Sequence, residues 1–93
     1  MEIQLKEQGN KGSFIALEDS KKAGEMTHVF AGEKRFIIDH TEVDSTFSGK
    51  GVGLKLVMAA VDYARKEGYQ ILPLCPFAKS VFDKRPEIGD VLS

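Results

Sequence analysis

The hydrophobic period of this chain changes once, at Val43, and that change limits its fold more than any other feature. Before Val43, polar and apolar residues alternate in short runs: "EIQLK" (2–6), "SFIALE" (13–18), "EMTHVFA" (25–31) and "RFIIDHTEV" (35–43). A period of two is that of a strand. In the third run Met26, His28 and Phe30 share one face, and Thr27, Val29 and Ala31 the other. The pieces between, "EQGNKG" (7–12), "DSKKAG" (19–24) and "GEK" (32–34), are short, polar and turn-forming. Connections this short predict an antiparallel meander, because parallel neighbours need a long crossover.

After Val43 the period becomes helical. "DSTFSGKG" reads as a loop, and Leu56, Val57, Ala60, Val61 and Ala64 then recur three and four apart. That spacing predicts a helix over about residues 52–67, with Gly68 as its stop. "QILPLC" (70–75) predicts a strand, held extended before Pro73 and Pro76. Pro76 suits the first turn of a second helix over 76–84, which Pro86 ends. The tail "EIGDVLS" is expected to be short and extended. The fold class is therefore α+β, with a mixed, mainly antiparallel sheet of five strands in the order β-β-β-β-α-β-α.

At 93 residues the chain is expected to be one domain, 1–93. Its 13 basic and 14 acidic residues leave a net charge of −1, and the basic ones are dispersed. That balance argues against nucleic acid, which needs a basic face. A lone cysteine, Cys75, allows no internal disulfide and fits a reducing, cytoplasmic compartment. No apolar run is long enough to span a membrane, and the N-terminus shows no signal peptide. Two distant histidines and one cysteine give no metal-ligand spacing. No G-x-S-x-G is present.

The chemically suggestive stretch is "FSGKGVGLKLV" (47–57). It is not a Walker A motif, because Lys50 is followed by Gly51, and it is a poor dinucleotide fingerprint. It does open a helix. The first amides of a helix lack internal partners and point at whatever lies in front of them. Glycines let an anion approach the backbone, and a pyrophosphate is well served there. The competing reading is a helix start that needs only tight packing.

The order of strand, "DHTEV", glycine loop, amphipathic helix, strand and second helix resembles the GCN5-related N-acetyltransferase superfamily, over roughly residues 24–84. It is most similar to the very small members that keep little beyond the acetyl-CoA-binding core. The family's Q/R-x-x-G-x-G/A motif falls on Ser48-Gly49-Lys50-Gly51-Val52-Gly53, with Ser48 replacing the long donor. "IDHTEV" and "CPFAKSVF" also look like the small subfamily. The resemblance implies that the amides from Lys50 to Gly53 receive the pyrophosphate of CoA, with Lys50 at the rim and Lys79 within reach of the phosphates. It also implies that the backbone of Thr41, Glu42 and Val43 pairs with the pantetheine arm like an added strand. Members of the family splay their fourth and fifth strands to admit that arm.

An amine attacks a thioester only when neutral, so a base or a proton path is needed. His40, near the end of the fourth strand, is the first catalytic candidate. Its alternative is a half-buried strand histidine. His28, among apolar neighbours, reads as structural. Cys75 is the second candidate: it precedes a helix start that lowers a thiol pKa, and it could protonate the leaving thiolate or carry the acetyl group. Its alternative is a small buried apolar residue. Many members use a Tyr on the helix after the fifth strand; Phe77 and Phe82 occupy that helix here. Tyr63 and Tyr69 read as packing residues.

The function expected is acetyl transfer from acetyl-CoA, without a metal, to an amine. "EQGNKG" is too short to hold the helices that wall the acceptor site in larger relatives, so an open acceptor side is expected. That suits a protein lysine, an N-terminus or a loosely held small amine, on a monomer or weak dimer. One rival is a non-catalytic acyl-CoA-binding or sensing module, favoured by the missing Tyr and by Ser48. Another is a generic anion-binding domain, which would bind free pyrophosphate as well as CoA.

Overall fold

The structure is a computed structural model that describes all residues, Met1–Ser93. Strands β1 (Glu2–Gln8), β2 (Lys11–Glu18), β3 (Lys21–Phe30) and β4 (Arg35–Val43) form an antiparallel meander. Helix α1 (Val52–Glu67) then crosses over to β5 (Gln70–Pro73), which lies parallel to β4, and α2 (Pro76–Lys84) follows. The sheet order is β1-β2-β3-β4-β5. The element order, the bounds of β4 and both helices agree with the sequence reading.

The first two turns are tighter than their polar composition suggests. Residues 7–12 and 19–24 are mostly strand, and only Gly9-Asn10 and Asp19-Ser20 turn. Gly9 has φ 63°, and Asp19 and Ser20 have φ 51° and 67°, the left-handed values that two-residue hairpins demand. The glycines misread as turn residues are strand residues kept small by their neighbours. A Cβ on Gly12 would lie 2.6 Å from Nε2 of His28, and one on Gly24 would lie 2.8 Å from the Glu42 carbonyl oxygen.

Helix α1 covers one face of the sheet. Phe14, Ala16, Met26, Phe36 and Ile38 point into it and meet Leu56, Val57, Ala60, Val61 and Ala64. His28 is also buried there, with Phe14, Phe30 and Phe36 rings 5.1 to 5.5 Å from its own. The opposite face carries Lys6, Ser13, Ile15, Thr27, Val29, Ile37 and His40, and none of these is buried. No helix is long and apolar enough to cross a membrane.

The tail corrects the extended expectation. Pro86–Val91 is a 3-10 turn, and only Leu92 and Ser93 run alongside β5, where the Ser93 amide donates to the Ile71 carbonyl at 2.8 Å. The turn is held by Arg65, whose guanidinium grips both Asp90 oxygens at 2.8 and 3.0 Å and donates to the Glu87 carbonyl at 3.1 Å.

Candidate active site

The site begins with an irregularity in β4. Thr27 pairs with His40, yet the next residue of β3, His28, pairs with Ile38, so Asp39 is an extra residue. A bulge of this kind reverses which side chains face inward. Without it, Ile38 and His40 would share the buried face. With it, Thr41 turns inward beside Met26, and His40 turns out to the open face beside Thr27. Thr27 holds the bulge by donating its hydroxyl to the Asp39 carboxylate at 2.5 Å.

Beyond Ile38 the strands β4 and β5 part. Their parallel ladder ends at Ile38 and Pro73, and the Leu74 and Cys75 amides both donate to the Ile38 carbonyl, at 3.0 and 3.1 Å. Residues 39–43 of β4 therefore have no strand on that side. The Asp44 amide donates to Ala23 on β3 at 2.8 Å. Since ladder bonds alternate along an antiparallel pair, Glu42 bonds toward β3 while Thr41 and Val43 direct their backbone groups into the gap. Of the three β4 residues expected to pair with a pantetheine arm, two face the gap. The third, Glu42, puts its carboxylate on the open face, 3.3 Å from Nε2 of His40.

Cys75 stands where the gap closes. It is 6% exposed, and its thiol lies 3.3 Å from the Thr41 hydroxyl. Burial pushes the thiol up, but hydrogen bonds from the Thr41 side chain and from the Ala78, Phe77 and Thr41 amides outweigh it, leaving Cys75 below its ordinary 9.0. His40 takes no part in this. Its side chain is 62% exposed on the far face of β4, so the two candidates lie on opposite sides of one strand.

The glycine loop faces the same gap. Asp44 caps a 3-10 turn (Ser45–Phe47) by accepting from the Thr46 amide at 2.8 Å. Gly49 and Gly51 follow with φ 80° and 72°, in open space. The first helical bond of α1 is that of the Lys55 amide to the Gly51 carbonyl, 3.0 Å, so the Val52, Gly53 and Leu54 amides have no helical partner. The Lys50 amide, expected to be free as well, instead donates to the Phe47 carbonyl at 3.3 Å, because the 3-10 turn runs on into the loop. No acidic residue stands in the first turn, and Lys50 rests its ammonium 5.6 Å from the centre of the Phe47 ring. These amides open on a cleft of about 560 Å³ walled by Val43, Phe47, Ser48, Leu54 and Phe77. Lys79 is outside it and pairs with Asp83 at 3.4 Å.

The three glycines serve two different needs. Gly49 and Gly51 adopt left-handed φ. Gly53 leaves room for Phe77, whose ring would stand 2.6 Å from any Cβ there. Sequence reasoning missed Phe77 as a wall of the cleft and the Thr41 hydroxyl as the partner of Cys75. A hollow of about 840 Å³ lies on the uncovered face and includes Lys6, Lys11, Ser13, Thr27 and Asp39.

The family described as GCN5-related N-acetyl-transferase matches residues 13–91. Among solved structures, a GCN5-like candidate N-acetyltransferase from Staphylococcus aureus is 32% identical with a TM-score of 0.71, over 97% of this chain and 87% of that one. Ribosomal-protein-alanine N-acetyltransferase from Brucella melitensis biovar Abortus 2308 shares the fold at 16% identity and a TM-score of 0.74, over 83% of this chain and 62% of that one. A candidate streptothricin acetyltransferase from Bacillus anthracis str. Ames, solved with acetyl coenzyme A, shares it at 22% identity and a TM-score of 0.60, over 71% and 38%. No curated protein matches the chain.

Proposed function

The chain belongs to the GCN5-related N-acetyltransferase family, and from that membership we propose that it moves an acetyl group from acetyl-CoA to an exposed amine. The observation that carries this reading is the parting of β4 and β5 beside a helix start with free amides. A pyrophosphate fits the Val52, Gly53 and Leu54 amides, with Lys50 adding charge at the rim. The pantetheine amides pair with Thr41 and Val43 as a peptide strand would. The thioester then reaches the level of Cys75.

The bulge at Asp39 divides the proton work between two faces. The acceptor approaches from the open face, where His40 takes the proton its nitrogen must lose. A carbon–nitrogen bond forms as the carbon–sulfur bond breaks. On the inner side, Cys75 gives its thiol proton to the departing CoA sulfur, and exchange with solvent returns both groups to their starting states. No wall of helices shields the open face, which supports an acceptor presented from outside: a protein lysine, an N-terminus or a small amine.

The test is an acetyl-transfer assay over a panel of amines and peptides. His40→Ala and Cys75→Ala are each expected to lower kcat by roughly a hundredfold or more, with acetyl-CoA affinity kept within a few-fold. Unchanged rates would remove these two assignments. Binding without turnover on any amine would leave an acyl-CoA-binding module instead.

A further inference from the structure

The sheet has two edges, and they are treated differently. The β5 edge is partly covered by Leu92 and Ser93. The β1 edge is bare over seven residues, without proline and without a break in its register with β2. Proteins usually blunt such an edge, since its free amides and carbonyls invite another strand.

The register of β1 tells which groups are free. Gln8 and Lys11 flank a two-residue turn, so this pair exchanges ladder bonds. Alternation then commits the backbone groups of Glu2, Gln4 and Lys6 to β2 and directs those of Ile3, Leu5 and Glu7 outward. Two copies can pair only in registers that set outward residues against outward residues.

One such register satisfies both faces of the strand. Centred on Gln4, it sets Ile3 opposite Leu5 of the second copy, and Leu5 opposite Ile3, on the helix side. On the open side it sets Glu2 opposite Lys6 twice. Leu5 is 37% exposed, and neither Glu2 nor Lys6 pairs with an opposite charge in its own chain. A register centred on Leu5 instead sets Ile3 against Glu7, and one centred on Ile3 leaves Lys6 without a partner. We propose that β1 pairs antiparallel with β1 of a second copy of this chain, centred on Gln4, giving a two-fold dimer with one ten-stranded sheet. Its helices lie on one face, and both acyl-transfer gaps stay clear of the contact, four strands away. The inference does not depend on the catalytic reading.

A contact confined to one strand buries less than the roughly 1,000 Å² of stable complexes, so the dimer is weak. Sedimentation equilibrium up to about 1 mM, the range of weak association, should show a reversible monomer–dimer equilibrium. Lys6→Glu or Glu2→Lys alone sets like charges opposite each other twice and should weaken it roughly tenfold. The double exchange, Glu2→Lys with Lys6→Glu, should restore it. Circular dichroism confirms that each variant is folded, as expected for exposed side chains. A monomer at every concentration, or a dimer indifferent to the single changes, would overturn the proposal.

Discussion

Gly53 and Phe77 show how single residues set the site. Adding one methyl at Gly53 forces it into the Phe77 ring, 2.6 Å away. The atoms met are the outer end of a ring that is 41% exposed and can swing aside, and alanine favours a helix over glycine by roughly 0.5–1 kcal/mol. We expect Gly53→Ala to shift Tm by no more than about 4–8 °C, the effect of roughly 1 kcal/mol in a domain this size, and to raise Tm in a Phe77→Ala background, a cycle that thermal unfolding measures. His28 makes a prediction about acid. It is buried among aromatic rings with Nδ1 unpartnered, Nε2 3.4 Å from the Glu7 carboxylate and Asp39 acting at longer range. Burial lowers its pKa, against the opposing pull of Glu7 and Asp39. The unfolded chain therefore takes up a proton that the fold refuses, and stability falls as pH drops below about 6.5. His28→Leu should flatten that part of the stability–pH curve. If the slope is unchanged, other groups carry it.

At the scale of elements, the bulge in β4 is the decisive feature. Deleting Asp39 would merely make Ile38 and His40 neighbours and keep both on their present faces. Inserting one alanine between His40 and Thr41 should instead turn Thr41 outward, away from Cys75. The expected result is a folded protein with at least tenfold weaker acetyl-CoA binding and lost turnover, measured by calorimetry and the amine assay. Retained activity would show that the facing of Thr41 does not organise the site. This is also where reading the sequence stopped. Periods of two and 3.6 made both helices and β4 legible to their ends, because Pro76, Gly68 and the apolar stripe act locally. The bulge was not legible: "IIDHT" alternates plausibly without it, and only pairing with β3 reveals the extra residue. The short turns were obscured because Lys11, Lys21 and Lys22 face solvent from within strands. The glycine loop was legible as a helix start, but the separate need for Gly53 depends on Phe77, far away in the chain. The Thr41–Cys75 contact depends on the bulge and could not be read at all.

The whole molecule is a sheet covered on one face. The covered face supplies a core of 20 residues, and the tail is strapped to it by Arg65. The uncovered face and the gap remain accessible. Because the gap and the amides of α1 exist only in the fold, a ligand that bridges them should stabilise the whole domain. At a hundredfold excess over Kd the gain is about 2.7 kcal/mol, or roughly 10–20 °C of Tm at this chain length. The most direct measurement is a calorimetric titration with acetyl-CoA of the natural protein and of Gly51→Glu, which sets a carboxylate where the pyrophosphate is expected. The account predicts one saturable site that the variant loses while remaining folded. Absence of binding at millimolar acetyl-CoA, or equal binding by the variant, would contradict the placement of acetyl-CoA on the glycine loop.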